Sequence, residues 1–340
     1  MSDKRWLMSS LCIALLILSV TSLSTAEQSE DEGSVRHYDV IINKTEYHDE
    51  NAFIQGLVFH NNSLYESTGR YNESSLRKLS TTGEILDRQN LSGDEFGEGL
   101  ALYNDTLIQL TWKKGLAHVW DLESLTYITN YSFEGEGWGL CASGSTLFMS
   151  NGSSELSLRH ASNFTLFDSL SVTYEGEPLE QLNELECVGD FIYANVWYSQ
   201  SIFIIDVHSG EVIGVINASG LMPDGTGSGD VLNGIAYDDE NGTFWVTGKR
   251  WPVIYEVNWR VNNSYIDDTP TDSNSTNGGA GWDLPTSGTV EVGLLTEFVI
   301  IGLSILMALA TIFLWGKGFG SLTNSRWVHN PSPTTILHEE

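Results

Sequence analysis

The sequence predicts an all-β fold, a five-bladed β-propeller, on three observations. Five segments repeat one pattern: a short apolar strand, a polar turn, then a second apolar strand. Equivalent positions recur at separations of 43, 40, 45 and 50 residues, the length of a propeller blade. No helical period interrupts them.

Each element follows in chain order. Lys4 and Arg5, the apolar run Leu11 to Val20 and the small residues Ser24-Thr25-Ala26 read as a signal peptide over 1–26. The propeller spans 37–260. Its repeats begin FIQGLVFHNNSLYESTG at Phe53, FGEGLALYNDTLIQLTW at Phe96, EGWGLCASGSTLFMSNG at Glu136, QLNELECVGDFIYANVW at Gln181 and VLNGIAYDDENGTFWVTGK at Val231. Third strands follow, as in Ala117 to Asp121 and Ser201 to Asp206. Residues 261–293 are rich in Gly, Pro, Ser and Asn without apolar periodicity, and read as a flexible polar stalk. Residues 294–316 carry the uncharged run FVIIGLSILMALATIFLWG, long enough to cross a bilayer. Lys317 and Arg326 follow, so 317–340 reads as a short cytoplasmic tail. The expected location is therefore the cell surface, as a single-pass membrane protein with an extracellular domain.

Composition narrows the function. Hydrophobic residues make up 41% and aromatics 11% of 340, enough for a sizeable core. Asp and Glu number 45 against 16 Lys and Arg, a net charge of −29, which excludes ordinary phosphate-backbone binding; no nucleic-acid partner is expected. Sequons at Asn43, Asn61, Asn72, Asn90, Asn104, Asn130, Asn151, Asn163, Asn217, Asn241, Asn262 and Asn274 suggest a glycosylated surface. Cys12 falls in the leader. Cys141 and Cys187 lie one and two residues past equivalent aliphatic positions. Facing opposite sides of their sheets, they are expected to be free buried thiols. The histidines show no HExxH or Cys/His cluster, and the expectation is neither metal nor cofactor. Asp224 to Asp230 reads as a Gly-rich connector, or more weakly as a calcium loop.

The repeat has a chemical consequence. The first strand of each blade lines the axis, so Gln55, Glu98, Trp138, Asn183 and Asn233 converge on one ring. A second ring lies fourteen residues on, at Gly69, Trp112, Gly152 and Trp197, and sixteen on at Lys249. Phe53 and Phe96 lie two residues before the first ring and share its face. Glu98 among aromatics would be desolvated and raised toward neutrality, while Lys249 pulls the other way; sequence does not fix the balance. Trp112, Trp138 and Trp197 would form an apolar pocket with indole donors at its rim. Gln55, Asn183 and Asn233 would either meet a polar ligand or satisfy strand ends. Glu184 takes the glycine position of its repeat and should point away from Glu98.

FxQGL, STGxY, FGEGLAL, QLTWK, EGWGL, LNELE, ANVW, VLNGIAY and VTGKRWPxxYEV, in this order, resemble the plant-type, or papaya-type, glutaminyl-peptide cyclotransferases. The resemblance covers nearly the whole propeller. It implies conversion of an N-terminal glutamine to pyroglutamate with release of ammonia, on peptide or protein substrates. It implies Glu98 as the acid/base, Lys249 and Asn183 as stabilisers of the amide oxygen, and Gln55 as a grip on the substrate. Phe53, Phe96, Trp112, Trp138 and Trp197 would line the pocket. The expected enzyme is a monomer. A non-catalytic peptide- or ligand-binding propeller is the alternative; a glycosidase would need a second carboxylate across the bond.

Overall fold

The computed structural model describes residues 34–265. The leader, most of the stalk, the apolar run and the tail lie outside them.

Strand β1 is Arg36–Tyr47. The first sheet holds β2 (Ile54–His60), β3 (Ser63–Thr68), β4 (Ser75–Ser80) and β5 (Ile85–Asn90), paired in that order. The second holds β6 (Gly97–Tyr103), β7 (Thr106–Thr111), β8 (Leu116–Asp121) and β9 (Tyr127–Ser132). The third holds β10 (Leu140–Ser143), β11 (Thr146–Met149), β12 (Glu155–His160) and β13 (Leu166–Ser171). A two-stranded ribbon follows, β14 (Thr173–Tyr174) with β15 (Glu177–Pro178). Then come β16 (Leu182–Val188), β17 (Phe191–Val196), β18 (Ser201–Asp206) and β19 (Val212–Asn217), and finally β20 (Leu232–Asp238), β21 (Thr243–Gly248) and β22 (Val253–Val261).

The earliest strand closes the ring. β1 pairs antiparallel with β22 from Tyr38↔Val261 to Tyr47↔Val253, and parallel with β19 from Arg36↔Gly214 to Asp39↔Asn217. It completes the last antiparallel unit and fuses it to the preceding one as an eight-stranded sheet. The innermost strands β2, β6, β10, β16 and β20 contact one another in turn, and β20 returns to β2. The fold is all-β and propeller-like.

The core is a set of seams. Leu57 and Leu64 of the first sheet meet Ala236 and Trp245. Val58 and Tyr65 meet Leu100 and Leu107. Ala101 and Ile108 meet Leu140 and Leu147. Phe148 meets Leu185 and Ile192, and Tyr193 meets Ile235 and Phe244. Alternation along each inner strand sends one set of side chains to each neighbouring sheet. Glycines beside the ring residues keep the seams tight. A Cβ at Gly139 would lie 1.9 Å from the Asn183 carbonyl oxygen, and one at Gly56 2.4 Å from Leu100 N.

Two expectations are corrected. Cys141 and Cys187 are joined as a disulfide, with Cα atoms 5.4 Å apart. Opposite faces of one sheet would forbid a bridge, but these residues belong to β10 and β16 in successive sheets. There the far face of one packs on the near face of the next, so opposite parity is what a bridge requires. The expected cell-surface, single-pass location is also overturned. No helix among the described residues is long and apolar enough to cross a membrane. Residues 294–316, on which that location rested, lie outside them.

Candidate active site

The inner strands carry a shared irregularity where they reach the axis. β2 shifts register against β3 between Ile54 and Gly56, and β6 against β7 between Gly97 and Leu100. β16 shifts between Leu182 and Leu185, and β20 between Leu232 and Ile235. Gln55, Glu98, Asn183 and Asn233 each sit inside one of these bulges. A bulge breaks the ladder and re-aims a side chain, and here it turns polar groups off the seams.

Three of these four residues open into a pocket of about 340 Å³ on one end of the ring. Phe53, Gln55, Phe96, Glu98, Trp112, Trp138, Asn183, Trp197 and Lys249 all line it, together with Tyr198, Gly229 and Arg250. Asn233 does not line it. Its Nδ2 donates to the Ile54 carbonyl at 3.1 Å and lies 3.5 Å from Gln55 Oε1, so it braces the strand that carries Gln55.

The walls are aromatic. Phe96 packs edge-on against Phe53 (centroids 6.1 Å apart) and tilts against Trp112 (5.6 Å). Trp138 meets Trp197 at 5.6 Å. The glycines of the second ring make room for this. A Cβ on Gly69 would lie 2.2 Å from the Phe96 ring, and one on Gly152 2.7 Å from the Trp138 indole. A glycine stands where an aromatic enters the pocket, from the next sheet at Gly69 and from the same hairpin at Gly152.

Glu98 and Lys249 are both 4% exposed. Burial among aromatics pushes the Glu98 carboxyl well above the ordinary carboxylate range. The Lys249 charge and a Gln55 hydrogen bond pull it back only in part. Burial brings the Lys249 ammonium down to about 8, with Glu98 opposing the fall. The balance that sequence leaves open thus falls on the side of desolvation.

Two details depart from the sequence reading. The indole N–H groups of Trp112 and Trp138 are not free at the rim. Both donate to Glu136 Oε2, at 2.7 and 3.1 Å. Arg250 and Tyr198 line the pocket directly after Lys249 and Trp197. Their φ values of 57° and 68° break the alternation that would turn them away. Glu184, as its place in the repeat requires, turns from the pocket and accepts from Leu57 N at 3.2 Å and Ile235 N at 2.9 Å. In the Gly-rich connector, Asp230 Oδ1 accepts from Arg250 Nε at 2.6 Å and Oδ2 from Gly227 N at 3.1 Å.

The arrangement is one carboxyl with a raised proton affinity, a buried cation, amide groups from Gln55 and Asn183, and a slot of aromatic walls. It suits a small flexible substrate that must be held in one conformer while a proton moves.

Comparison with known proteins agrees. A family model described as glutamine cyclotransferase matches residues 14–259. A glutaminyl-peptide cyclotransferase of Arabidopsis thaliana is 37% identical over 217 residues, covering 62% of this chain and 68% of its own. The crystal structure of Myxococcus xanthus glutaminyl cyclase superposes with a TM-score of 0.64 at 37% identity, covering 67% of this chain and 100% of that one.

Proposed function

This chain belongs to the glutamine cyclotransferase family, and from that premise we propose that its axial pocket closes N-terminal glutamine to pyroglutamate with Glu98 as the single acid/base. The protein is a glutaminyl-peptide cyclotransferase, a transferase. The propeller-like ring is read as five blades, with β1 completing the blade begun by β20 to β22.

The nucleophile is already tethered to its target, so the pocket's first task is conformational. Phe53, Phe96, Trp112, Trp138 and Trp197 hold the side chain folded back on its own amine, which removes much of the entropic cost of ring closure. The α-amine nitrogen then attacks the side-chain amide carbon. Ionised Glu98 takes a proton from the amine as the C–N bond forms. The carbonyl oxygen gains negative charge, which Lys249 and the Asn183 amide stabilise. Glu98 returns the proton to the amide nitrogen, the old C–N bond breaks, and ammonia leaves. One carboxyl thus serves both transfers, and its raised proton affinity matches the task. Gln55, which also hydrogen-bonds Glu98, grips the substrate amine.

The observation that carries this reading is the Glu98 carboxyl, desolvated in the pocket and flanked by Gln55 and Lys249. Ammonia release from Gln-Xaa peptides by wild type and by Glu98→Gln tests it. The expected loss is about 10²- to 10⁴-fold in kcat. Near-wild-type turnover by the variant ends the assignment. Peptide binding without ammonia release by the wild type would instead favour a non-catalytic binding module.

A further inference from the structure

Trp112 and Trp138 come from different sheets, one following β7 and the other preceding β10, yet their indole nitrogens converge on a single oxygen, Glu136 Oε2. The other oxygen, Oε1, lies 3.4 Å from Lys113 Nζ. Lys113 in turn sits 3.9 Å above the Trp112 ring centre. One carboxylate therefore ties together two walls and the cation covering one of them. β10 begins only at Leu140, whereas β2, β6, β16 and β20 include their ring residues, so Trp138 stands just outside its strand. Its indole is held by Glu136, while its backbone N–H donates to the Ser150 carbonyl at 3.0 Å and its carbonyl accepts from Gly99 N at 2.6 Å.

We infer that Glu136 is a positioning residue for the cyclisation: it sets the separation and tilt of the Trp112 and Trp138 walls. The inference rests on the cyclotransferase reading of the pocket. Burial would raise Glu136 itself, but donors from Trp138, Trp112 and Lys113 hold it below the usual carboxylate range, so it remains an anion. It is also one of the charges that raise Glu98. The groups facing Glu98 are Lys249 from the last unit, Gln55 from the first and Glu136 from the third. Arg250, also at the pocket, is engaged by Asp230 at 2.5 Å. Glu136 is thus the anion among these groups. It has no part in proton transfer and acts through the indoles it holds.

Glu136→Ala and Glu136→Gln separate its two effects. The glutamine keeps an acceptor oxygen for the indoles and loses the charge; the alanine loses both. With a Gln-initiated peptide, Glu136→Ala should raise KM about tenfold through the slackened walls. Glu136→Gln should restore KM to near the wild-type value. In both variants the acidic limb of kcat/KM should move to lower pH, because Glu98 ionises more readily without the neighbouring anion. A wild-type KM in Glu136→Ala overturns the inference while leaving Glu98 in its role. Should Glu136→Ala not fold, Glu136→Met, which keeps bulk without the acceptor, takes its place, and a wild-type KM in it overturns the proposal. A wild-type chain that releases no ammonia refutes the cyclotransferase reading, a different result from either.

Discussion

Lys249 Nζ lies 5.1 Å from the centre of the Phe53 ring. The ring face favours the ammonium over the neutral amine, against the burial that brings Lys249 down to about 8. If the ammonium stabilises the developing oxyanion, kcat/KM should fall as pH rises past about 8. Phe53→Leu removes the ring's attraction and should move this descending limb to lower pH by about half a unit. The same peptide serves both enzymes, so titration of its own amine cancels. An unmoved limb in Phe53→Leu argues that Lys249 is not the group being titrated.

Lys249→Met makes a second, opposite prediction. The Lys249 charge lowers the proton affinity of Glu98. Without it Glu98 holds its proton to higher pH, and the ascending limb should shift upward as the descending limb vanishes. The loss of oxyanion stabilisation should lower kcat by about 10²- to 10³-fold. A variant that keeps both limbs in place would remove Lys249 from the mechanism.

Glu184 is a buried and Glu186 a half-buried carboxyl that the chemistry does not use. Glu186 Oε1 accepts from Tyr237 N at 2.8 Å. Burial pushes its carboxyl up to about 8, and pushes Glu184 well above the ordinary range. The folded chain holds protons that the unfolded chain releases. The stability this confers is whole below the unfolded value of about 4.5 and is lost as pH rises toward 8. Glu186→Gln keeps the acceptor and abolishes the titration. It should melt with the wild type at pH 4 and above it at pH 8. Equal melting temperatures at both would mean that Glu186 is already solvated.

Much of the site was legible in the sequence because a propeller converts repeat register into position. Aligning the small-aliphatic pairs was enough to bring Glu98, Asn183 and Lys249 together across 151 residues. Simple alternation reached its limit at two kinds of place. Arg250 and Tyr198 adopt left-handed backbone after the second strand, so parity misassigns their facing. For Cys141 and Cys187 the faces of one sheet mislead, because the relevant surface is the seam between two. Glu136 holds the repeat position of Phe53 and Phe96, two before its ring residue, but register does not reveal that its carboxylate meets two indoles from different sheets. Asn233 holds a ring position by register, yet donates to the Ile54 carbonyl. A buried amide goes to whichever acceptor the local backbone leaves unmatched.

The Cys141–Cys187 bridge ties β10 to β16, three residues beyond Trp138 and four beyond Asn183. It spans 46 residues of sequence, and cross-links of this kind stabilise by about 2–4 kcal/mol. The pair Cys141→Ala and Cys187→Ala should lower the urea midpoint by the corresponding amount. A reductant should do the same to the wild type and nothing further to the variant. A reductant effect of equal size in both would place its action elsewhere.

Glu66 is fully buried between two cations. His48 Nε2 stands 2.9 Å from Glu66 Oε2, Arg77 Nε 2.6 Å from Oε1, and Arg77 Nη1 reaches Asp49 at 2.8 Å. The other imidazole nitrogen faces the Trp251 carbonyl at 3.0 Å, two residues past Lys249. The chain of charges therefore fixes the turn that delivers Lys249. Burial lowers the His48 proton affinity, but Glu66 and the Trp251 carbonyl outweigh it, and the net direction is upward. The folded state thus favours imidazolium. Its contribution is whole below the unfolded value of about 6.5 and is lost as pH rises through the higher folded one. Glu66→Gln strands the two cations and should cost about 3–5 kcal/mol. His48→Gln should trail the wild type most at pH 6, and the gap should narrow as pH rises. A gap that stays constant from pH 6 to 9 would show His48 neutral, holding Trp251 as a simple donor.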